Sequence, residues 1–233
     1  MTYILNNLPT LLMQAAALII GIVVHESAHA LAAYLLGDRT ARERGRISLN
    51  PLAHIDPFGT VLLPLIMLAA GGPVFAFAKP VPVYLGNLKH PKRDELLVAL
   101  AGPASNLVLA ALAAAGLALL AGPAASWGLG DAVYRLGSSF FIMAVIINLS
   151  LAFFNLIPLP PLDGSTILVF LLRGEALASY YRIQRYAMPI LIAVLYLLPS
   201  LTGIDLIGAY FDLTVYPLAD LLVGTALGAV TLH

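Results

Sequence analysis

The sequence contains no cysteine and few charged residues. Without cysteine, disulfide bonds and thiolate metal sites are both excluded, so any bound metal must be held by His, Asp or Glu side chains. Charged residues make up only 10% of the chain, against about 25% in a typical soluble domain. The 12 basic and 12 acidic residues balance to a net charge of zero, which argues against nucleic acid as a partner.

Hydrophobic residues are abundant instead, at 61% of the 233 residues. A chain this poor in polar groups cannot cover a surface that faces water, which points to a lipid bilayer as its surroundings. Spanning a bilayer core of ~30 Å takes about 20 helical residues, and most of the apolar segments are long enough. The prediction is an all-α polytopic membrane protein with about five to six transmembrane helices. The apolar segments run at about 9–36, 58–78, 96–122, 138–160, 186–200 and 206–230.

The chain is expected to form one integral-membrane domain over residues 1–233, with a catalytic core at about 9–172 and C-terminal helices at about 180–230. The longest polar stretches, at 38–46 and 88–95, are too short for a soluble domain, and no internal repeat is present. The N-terminus has no basic region of the kind that precedes a cleaved signal peptide. The first apolar segment is therefore expected to be a permanent anchor.

Basic residues predict the orientation, because Lys and Arg collect in cytoplasmic loops. The first basic cluster follows the first apolar segment, which therefore runs from outside to inside with the N-terminus outside. Only Arg135 lies in a loop expected outside. The cytoplasmic clusters are Arg39, Arg42, Arg44 and Arg46; Lys89, Lys92 and Arg93; and Arg173, Arg182 and Arg185.

The second apolar segment, 58–78, has basic clusters on both sides. One full crossing would put one of them outside, so we predict a re-entrant, partly β segment near 47–84 that returns to the cytoplasmic side. The Gly-Gly-Pro sequence at 71–73 marks the expected bend. The following residues, 74–84, are predicted to be an edge strand that could hold an unwound substrate by strand addition.

The first apolar segment carries the motif His25-Glu26-Ser27-Ala28-His29. Residues four apart are neighbours on a helix, so His25 and His29 can bind one metal ion from one face. Glu26 is then placed to act on a metal-bound water, as in the H-E-x-x-H motif of zinc hydrolases. Such residues are costly inside an apolar segment and are usually functional there. A proton relay is the alternative that would also justify them.

A catalytic zinc ion usually has three protein ligands, so a third is needed. Among the other histidines, His233 is terminal and His90 lies in a polar loop. Asp163 is the preferred candidate, because it lies in the apolar stretch 153–168 where prolines break the helix. Broken backbone at membrane depth is tolerated only where it lines a cavity. The alternative is an ordinary turn aspartate. Counted from the next basic residues, Asp163 and the two histidines lie at a comparable depth, toward the cytoplasmic side.

Two further polar residues are candidates for contact with a substrate or an oxyanion. Asn106 opens the third apolar segment, where an amide can form a hydrogen bond between helices or stabilise an oxyanion. His54 is interpreted first as a turn residue bonded to Asp56, with an approach to the active site as the alternative.

Taken in order, these motifs resemble the site-2 protease family of intramembrane zinc metalloproteases. The matching segments are HESAHALAAYLLGD (25–38), AGPASN (101–106) and NLIPLPPLDG (155–164). Two more, RISLNPLAHIDPFGT (46–60) and AKPVPVY (78–84), resemble a compact prokaryotic branch that has no PDZ or CBS domain. The resemblance covers most of the chain to about residue 172.

The resemblance implies one zinc ion per chain, bound by His25, His29 and Asp163, with Glu26 as the catalytic base. It also favours a functional role for Asn106. The expected activity is endopeptidase cleavage of transmembrane helices in other membrane proteins. A transporter or ion channel could use the same buried His, Glu and Asp residues, although transport does not require the H-E-x-x-H spacing. A catalytically inactive scaffold is the third possibility, against which the intact Glu26 argues.

Overall fold

The computed structural model describes residues 2–62, 78–122 and 130–228, and over these ranges the regular structure is helical, with no strand. Short 3₁₀ or π-helical turns interrupt the connections at Pro51–Ala53, Pro57–Leu62, Leu85–Asn87 and Ala193–Leu197. In chain order, the helices are α1 (Thr2–Leu35), α2 (Thr40–Glu43), α3 (Pro91–Ala121), α4 (Asp131–Leu156), α5 (Ser165–Leu171), α6 (Gly174–Gln184), α7 (Ala187–Ile192), α8 (Leu198–Thr202) and α9 (Leu206–Gly228).

Four of these helices are long and apolar enough to cross a bilayer. They are residues Leu8–Leu35 of α1 together with α3, α4 and α9. A fifth span exists if α6 and the following stretch Ala187–Thr202 are counted as one, although the two are bent by 74° relative to each other. The all-α, multi-pass prediction is therefore confirmed. The count of about five to six helices is not, since the described residues supply four or at most five.

Large apolar side chains lie on the surface of the spans. Leu213 of α9 is 81% exposed, and Leu12 of α1 and Leu112 of α3 are each 61% exposed. In water, each buried leucine would gain roughly 1.5–3 kcal/mol over an exposed one, so this surface would be strongly unfavourable. Lipid chains remove that penalty, which agrees with the low charge content of the sequence.

One compact unit comprises Met1–Gly21, Ala104–Phe153 and Gly208–His233. Its buried core consists mainly of alanine and valine, whose small side chains allow helix backbones to approach closely. Close van der Waals packing is the main source of helix association in lipid, where burial of apolar surface adds little. The core residues are Ala17, Ala110, Ala113, Ala114, Ala144, Val145, Leu149, Val215 and Ala219.

The second compact unit comprises Ile22–Pro103 and Phe154–Ile207. In it, the buried Asp38 joins the end of α1 to the segment before α3. The Asp38 carboxylate accepts hydrogen bonds from the backbone N–H of Tyr84 at 2.7 Å, the side-chain amide of Asn87 at 2.9 Å and the hydroxyl of Thr40 at 2.5 Å. Burial alone would raise the pKa of Asp38, but these hydrogen bonds outweigh it and hold the pKa at about 2.

The predicted re-entrant β segment is not confirmed. Residues 78–84 are neither helical nor paired in a strand, and the described residues offer no strand beside them. Pro80 and Pro82 account for part of this, because proline has no backbone N–H to donate to a ladder. The expected bend at 71–73 lies outside the described residues.

Candidate metal centre

His25 and His29 lie one helical turn apart on α1, as their spacing predicts. Their Nε2 atoms are 3.0 Å apart, and the two rings meet edge to face with centroids 4.6 Å apart. Both residues are buried, at 6% and 8% exposure. The two imidazoles therefore direct one nitrogen each toward the same point.

Asp163 reaches that point from the turn between α4 and α5. Its Oδ2 atom lies 3.1 Å from Nε2 of His25 and 3.3 Å from Nε2 of His29. Ligand atoms in a tetrahedral zinc site, with bonds of about 2.0–2.1 Å, are separated by roughly 3.3 Å. The three atoms thus occupy three corners of such a tetrahedron, and the fourth corner is left for water or substrate.

The donor chemistry also fits a cation. Nδ1 of His29 lies 2.7 Å from the carbonyl oxygen of Val98 and must donate to it, since a carbonyl can only accept. Nε2 of the neutral ring therefore has a lone pair directed at Asp163. Within the described residues, the buried Oδ2 of Asp163 accepts no hydrogen bond. A single cation between the three atoms satisfies all of them together, so the residues fit a zinc ion.

Two glycines make room for this arrangement. A Cβ atom on Gly102 would lie 2.6 Å from Cε1 of His25 and would also collide with the His29 ring. A Cβ atom on Gly164, next to Asp163, would collide with the carbonyl groups of Leu156 and Ile157. The close packing around both glycines gives a physical reason for the glycine in the AGP and LDG motifs.

Glu26 follows His25 on α1, and its side chain is 15% exposed. Its Oε2 atom lies 3.9 Å from Nη2 of Arg46, a residue that is itself 3% exposed. The same Nη2 donates to the carbonyl oxygen of Lys79. The backbone N–H of Lys79 in turn donates to the carbonyl oxygen of His54 at 2.9 Å. Glu26 is thus connected through Arg46 to the extended segment that begins at Lys79.

His54 is buried at 2% exposure and fastens the loop after α2 to α1. Its Nε2 atom lies 2.7 Å from the carbonyl oxygen of Ser48 and 3.3 Å from the hydroxyl of Ser27. The predicted partner Asp56 accepts a hydrogen bond from the backbone N–H of Gly59 at 2.6 Å. The structural interpretation of His54 therefore has support, although its hydrogen-bond partners are Ser48 and Ser27 and not Asp56. A role in substrate binding stays a prediction.

An apolar groove of ≈ 330 Å³ runs along α1 beside the motif. Val24, Ala28 and Leu31 line it from the helix, while Ile47 and Leu49 line it from the loop after α2. The groove is wide enough for several apolar side chains and lies on the helix that carries Glu26.

Asn106 belongs to the other compact unit and is fully buried there. Its amide nitrogen donates to the carbonyl oxygen of Gly21 at 3.1 Å and to Oδ1 of Asn148 at 2.9 Å. These bonds join α3 to α1 and α4, which supports the interhelical alternative. Its predicted oxyanion or substrate contact stays a prediction.

Sequence reasoning did not single out several residues that contact the candidate site. In the sequence, Arg46 stands out only as a cytoplasmic charge and as the first residue of a matching family segment, and Ser27 only as a spacer within the motif. Gly102 is part of the AGPASN motif, but the sequence gives it no physical role. The Val98 carbonyl cannot be recognised from the sequence, because every residue has one. Of these residues, only Gly102 could have been found from the sequence, because a glycine within a predicted helix suggests close packing at that position.

The chain is similar to known metalloproteases. Residues 13–198 match the family described as "Peptidase family M50". A Bacillus subtilis protein named "Putative zinc metalloprotease YwhC" is 39% identical over 205 residues, which cover 84% of each chain. No solved structure matches the chain.

Two mycobacterial relatives bear the name "Putative zinc metalloprotease Rip2". The one from Mycolicibacterium smegmatis is 32% identical over 199 residues, covering 84% of this chain and 72% of that protein. The one from Mycobacterium tuberculosis H37Rv is 32% identical over 209 residues, covering 90% and 73%.

Proposed function

The chain belongs to peptidase family M50, and on that premise we propose that it is a zinc-dependent endopeptidase that cleaves transmembrane segments of other membrane proteins. The observation that carries the proposal is the convergence of Nε2 of His25, Nε2 of His29 and Oδ2 of Asp163 within 3.3 Å of one another. One chain supplies all three ligand atoms, so one zinc ion per chain needs no second copy.

The residues have distinct roles in the proposed reaction. Zinc, when bound, supplies a Lewis acid that polarises the scissile carbonyl and acidifies a water molecule. Glu26 takes a proton from the attacking water as the new C–O bond forms, and passes it to the amide nitrogen as the C–N bond breaks. The products are a carboxylic acid and an amine, and transfer of the remaining water proton between them gives a carboxylate and an ammonium group. The Nδ1–H of His29, held by the Val98 carbonyl, keeps the imidazole ring oriented throughout.

The proposed substrate is a membrane helix that unwinds locally before it is cut. A peptide bond inside a helix is shielded by its own hydrogen bonds and by neighbouring side chains, so Glu26 cannot bring water to it. The segment 79–84, which is neither helical nor paired with a strand among the described residues, supports this proposal, because Arg46 bonds to it at Lys79 and an unwound strand could pair with it. Substrates with helix-weakening residues near the cut are expected.

We place the site toward the cytoplasmic side, with the N-terminus of α1 outside. The distribution of basic residues supports this orientation, since Arg135 alone falls in a loop predicted to be outside. The single membrane domain over 1–233, with its core at about 9–172, is part of the same proposal. A transporter or channel is disfavoured by the family match, and an inactive scaffold by the intact Glu26.

Substitution of Glu26 by Gln separates metal binding from chemistry. Glu26→Gln leaves all three ligand atoms in place, so zinc content should stay at one ion per chain, while cleavage should fall by at least about 100-fold because no base remains. Zinc content and cleavage of a model single-span substrate are measured on the same proteoliposomes. Wild-type cleavage by Glu26→Gln would exclude the mechanism.

A comparison of membrane-protein fragments in cells that make the wild type or Glu26→Gln then identifies substrates. Fragments that appear only with the wild type are the direct products. A wild-type protein that binds zinc and yields no fragment, yet moves an ion or solute across the membrane, would favour the transporter instead.

A further inference from the structure

Arg46 differs from the other arginines of its loop. Arg39, Arg42 and Arg44 are exposed, as expected of charges that set the orientation in a membrane. Arg46 is 3% exposed, and its position is fixed by a tight turn in which Gly45 has φ = +68° and the Arg46 N–H donates to the carbonyl of Ala41 at 2.9 Å. The loop therefore places this guanidinium inside the protein.

Among the described residues, one of the three guanidinium nitrogens has a partner. Nη2 donates to the Lys79 carbonyl and lies 3.9 Å from Oε2 of Glu26, whereas the buried Nε and Nη1 meet no hydrogen-bond acceptor in that part of the chain. More than nine in ten buried polar groups in proteins are paired, so two free donors on one buried cation call for an acceptor that arrives from outside.

Nη2 of this guanidinium lies 3.9 Å from Oε2 of Glu26, so an acceptor that reaches Nε and Nη1 lies near the proposed base. Carbonyl oxygens and anions are strong acceptors for guanidinium donors, and a peptide being hydrolysed next to Glu26 presents such an oxygen. Negative charge develops on the oxygen of the scissile carbonyl as water adds, and a preorganised buried donor stabilises that charge more than the neutral carbonyl.

We propose that Arg46 is a further catalytic residue, whose Nε and Nη1 donate to the scissile peptide oxygen as negative charge develops on it. This inference rests on the proposed proteolytic function. The bond from Nη2 to Lys79 holds the guanidinium plane in place while Nε and Nη1 take up the substrate oxygen. A lysine has one compact ammonium group at this position and cannot reproduce the planar set of donors.

The test uses the full-length, zinc-loaded protein in proteoliposomes with a model single-span substrate. Arg46→Lys keeps the positive charge near Glu26 and removes Nε and Nη1, while Arg46→Ala also opens a space in which free guanidinium can bind. Arg44→Met is the matched control, because Arg44 is exposed two residues away on the same loop. Zinc content, thermal unfolding, kcat and KM are measured for each.

Both Arg46 variants should retain zinc and lose about 100- to 1,000-fold in kcat, the loss that follows removal of an oxyanion donor, with KM changed less than about threefold. Guanidinium should restore part of the kcat of Arg46→Ala and none of that of Glu26→Gln. In a Glu26→Gln background, Arg46→Lys should leave the Kd of the uncleaved substrate unchanged. Arg44→Met should behave as the wild type.

Wild-type kcat in a zinc-loaded Arg46→Lys protein would overturn the inference, as would a kcat loss that only tracks lost zinc or lost folding. A rise in KM without a fall in kcat would assign Arg46 to ground-state binding and equally refute the proposal. The wild type and Glu26→Gln run alongside as references. If those two do not differ in cleavage, the proposed function itself fails, and the role of Arg46 fails with it.

Discussion

Nδ1 of His29 and the carbonyl oxygen of Val98 lie 2.7 Å apart and join the metal-site helix α1 to α3. This bond fixes the ring tautomer, and with it the nitrogen that faces Asp163. A backbone carbonyl cannot be removed by substitution, so the orientation of His29 depends on how closely α3 approaches α1. Gly102, one turn further along α3, is the residue that permits that approach.

A methyl group at Gly102 should therefore disrupt the metal site. Gly102→Ala places a Cβ atom 2.5 Å from Cε1 of His29, a distance that real structures do not tolerate, so a ring or the helix must move. Zinc binding should weaken by at least about 100-fold, beyond the loss from ordinary changes next to a ligand. The measurement is zinc affinity by competition with a chromophoric chelator.

Gly224→Ala provides the matched control for that experiment. It makes the same substitution in the interior of a helix, where a Cβ atom has no neighbour within 4 Å. Zinc affinity should stay at the wild-type value, and helix propensity favours alanine by up to about 1 kcal/mol. Equal zinc affinities for the two alanine variants would show that Gly102 does not set the ring positions.

Asp163 should prove essential for zinc, and Asp56 should not. Asp163→Ala removes the oxygen that lies within 3.3 Å of both imidazole nitrogens, whereas the Asp56 carboxylate caps a local turn at Gly59. Zinc affinity should fall by more than about 100-fold in Asp163→Ala, since losses of 10- to 100-fold are typical of groups that only support a ligand. Retained wild-type affinity would remove Asp163 from the site.

Asp38 should stabilise the folded protein at neutral pH, and this stabilisation should disappear in acid. Its pKa in the folded protein is about 2, below the ordinary 3.8, because hydrogen bonds from Asn87, Thr40 and Tyr84 outweigh the effect of burial. A depressed carboxylate pKa stabilises the fold above the ordinary value, and this contribution is lost as pH falls from about 4 to about 2. Unfolding midpoints in detergent, measured for the wild type and Asp38→Asn, should differ at pH 6 and converge near pH 2. A difference independent of pH would contradict this account.

The orientation is open to a direct test, since the chain has no native cysteine. Single cysteines replace Arg44, Lys89 and Ser126, and intact cells are labelled with a membrane-impermeant thiol reagent. Ser126→Cys should label, whereas Arg44→Cys and Lys89→Cys, which are exposed but predicted to be cytoplasmic, should label only after the membrane is opened. External labelling of Lys89→Cys but not of Arg44→Cys would mean that the segment between them spans the membrane.

The metal site shows what local sequence pattern can and cannot predict. The convergence of His25 and His29 follows from helix geometry alone, because residues four apart share a face. The proximity of Asp163 required an argument from membrane depth and motif, since no local rule brings residues 134 positions apart into contact. The structure places its Oδ2 atom beside both rings. The contribution of Val98 could not be predicted, because any residue provides a carbonyl.

The burial of Arg46 could not be predicted from the sequence, for a different reason. The positive-inside rule treats every arginine in a short loop as an exposed charge, so it cannot separate Arg46 from Arg44. Burial depends on the turn at Gly45 and on Lys79, which lies 33 residues away. The predicted edge strand over 74–84 is not confirmed in its described part, 78–84. Pro80 and Pro82 suit an edge strand, but a strand also needs a neighbour to pair with, and the described residues provide none.

The extended segment from Lys79 to Tyr84 is secured at both ends, at Lys79 by Arg46 and His54 and at Tyr84 by Asp38. Between the ends, Pro80 and Pro82 have no N–H, so only Val81 and Val83 can donate. In an extended chain, residues two apart present their backbone groups to the same edge. The two edges therefore differ: the edge of Val81 and Val83 offers two amide donors, whereas the opposite edge offers the carbonyl oxygens of Pro80 and Pro82 and no free amide donor. If the segment binds an unwound substrate as proposed, the substrate strand should pair along the edge of Val81 and Val83, where amide donors and carbonyl acceptors are both present.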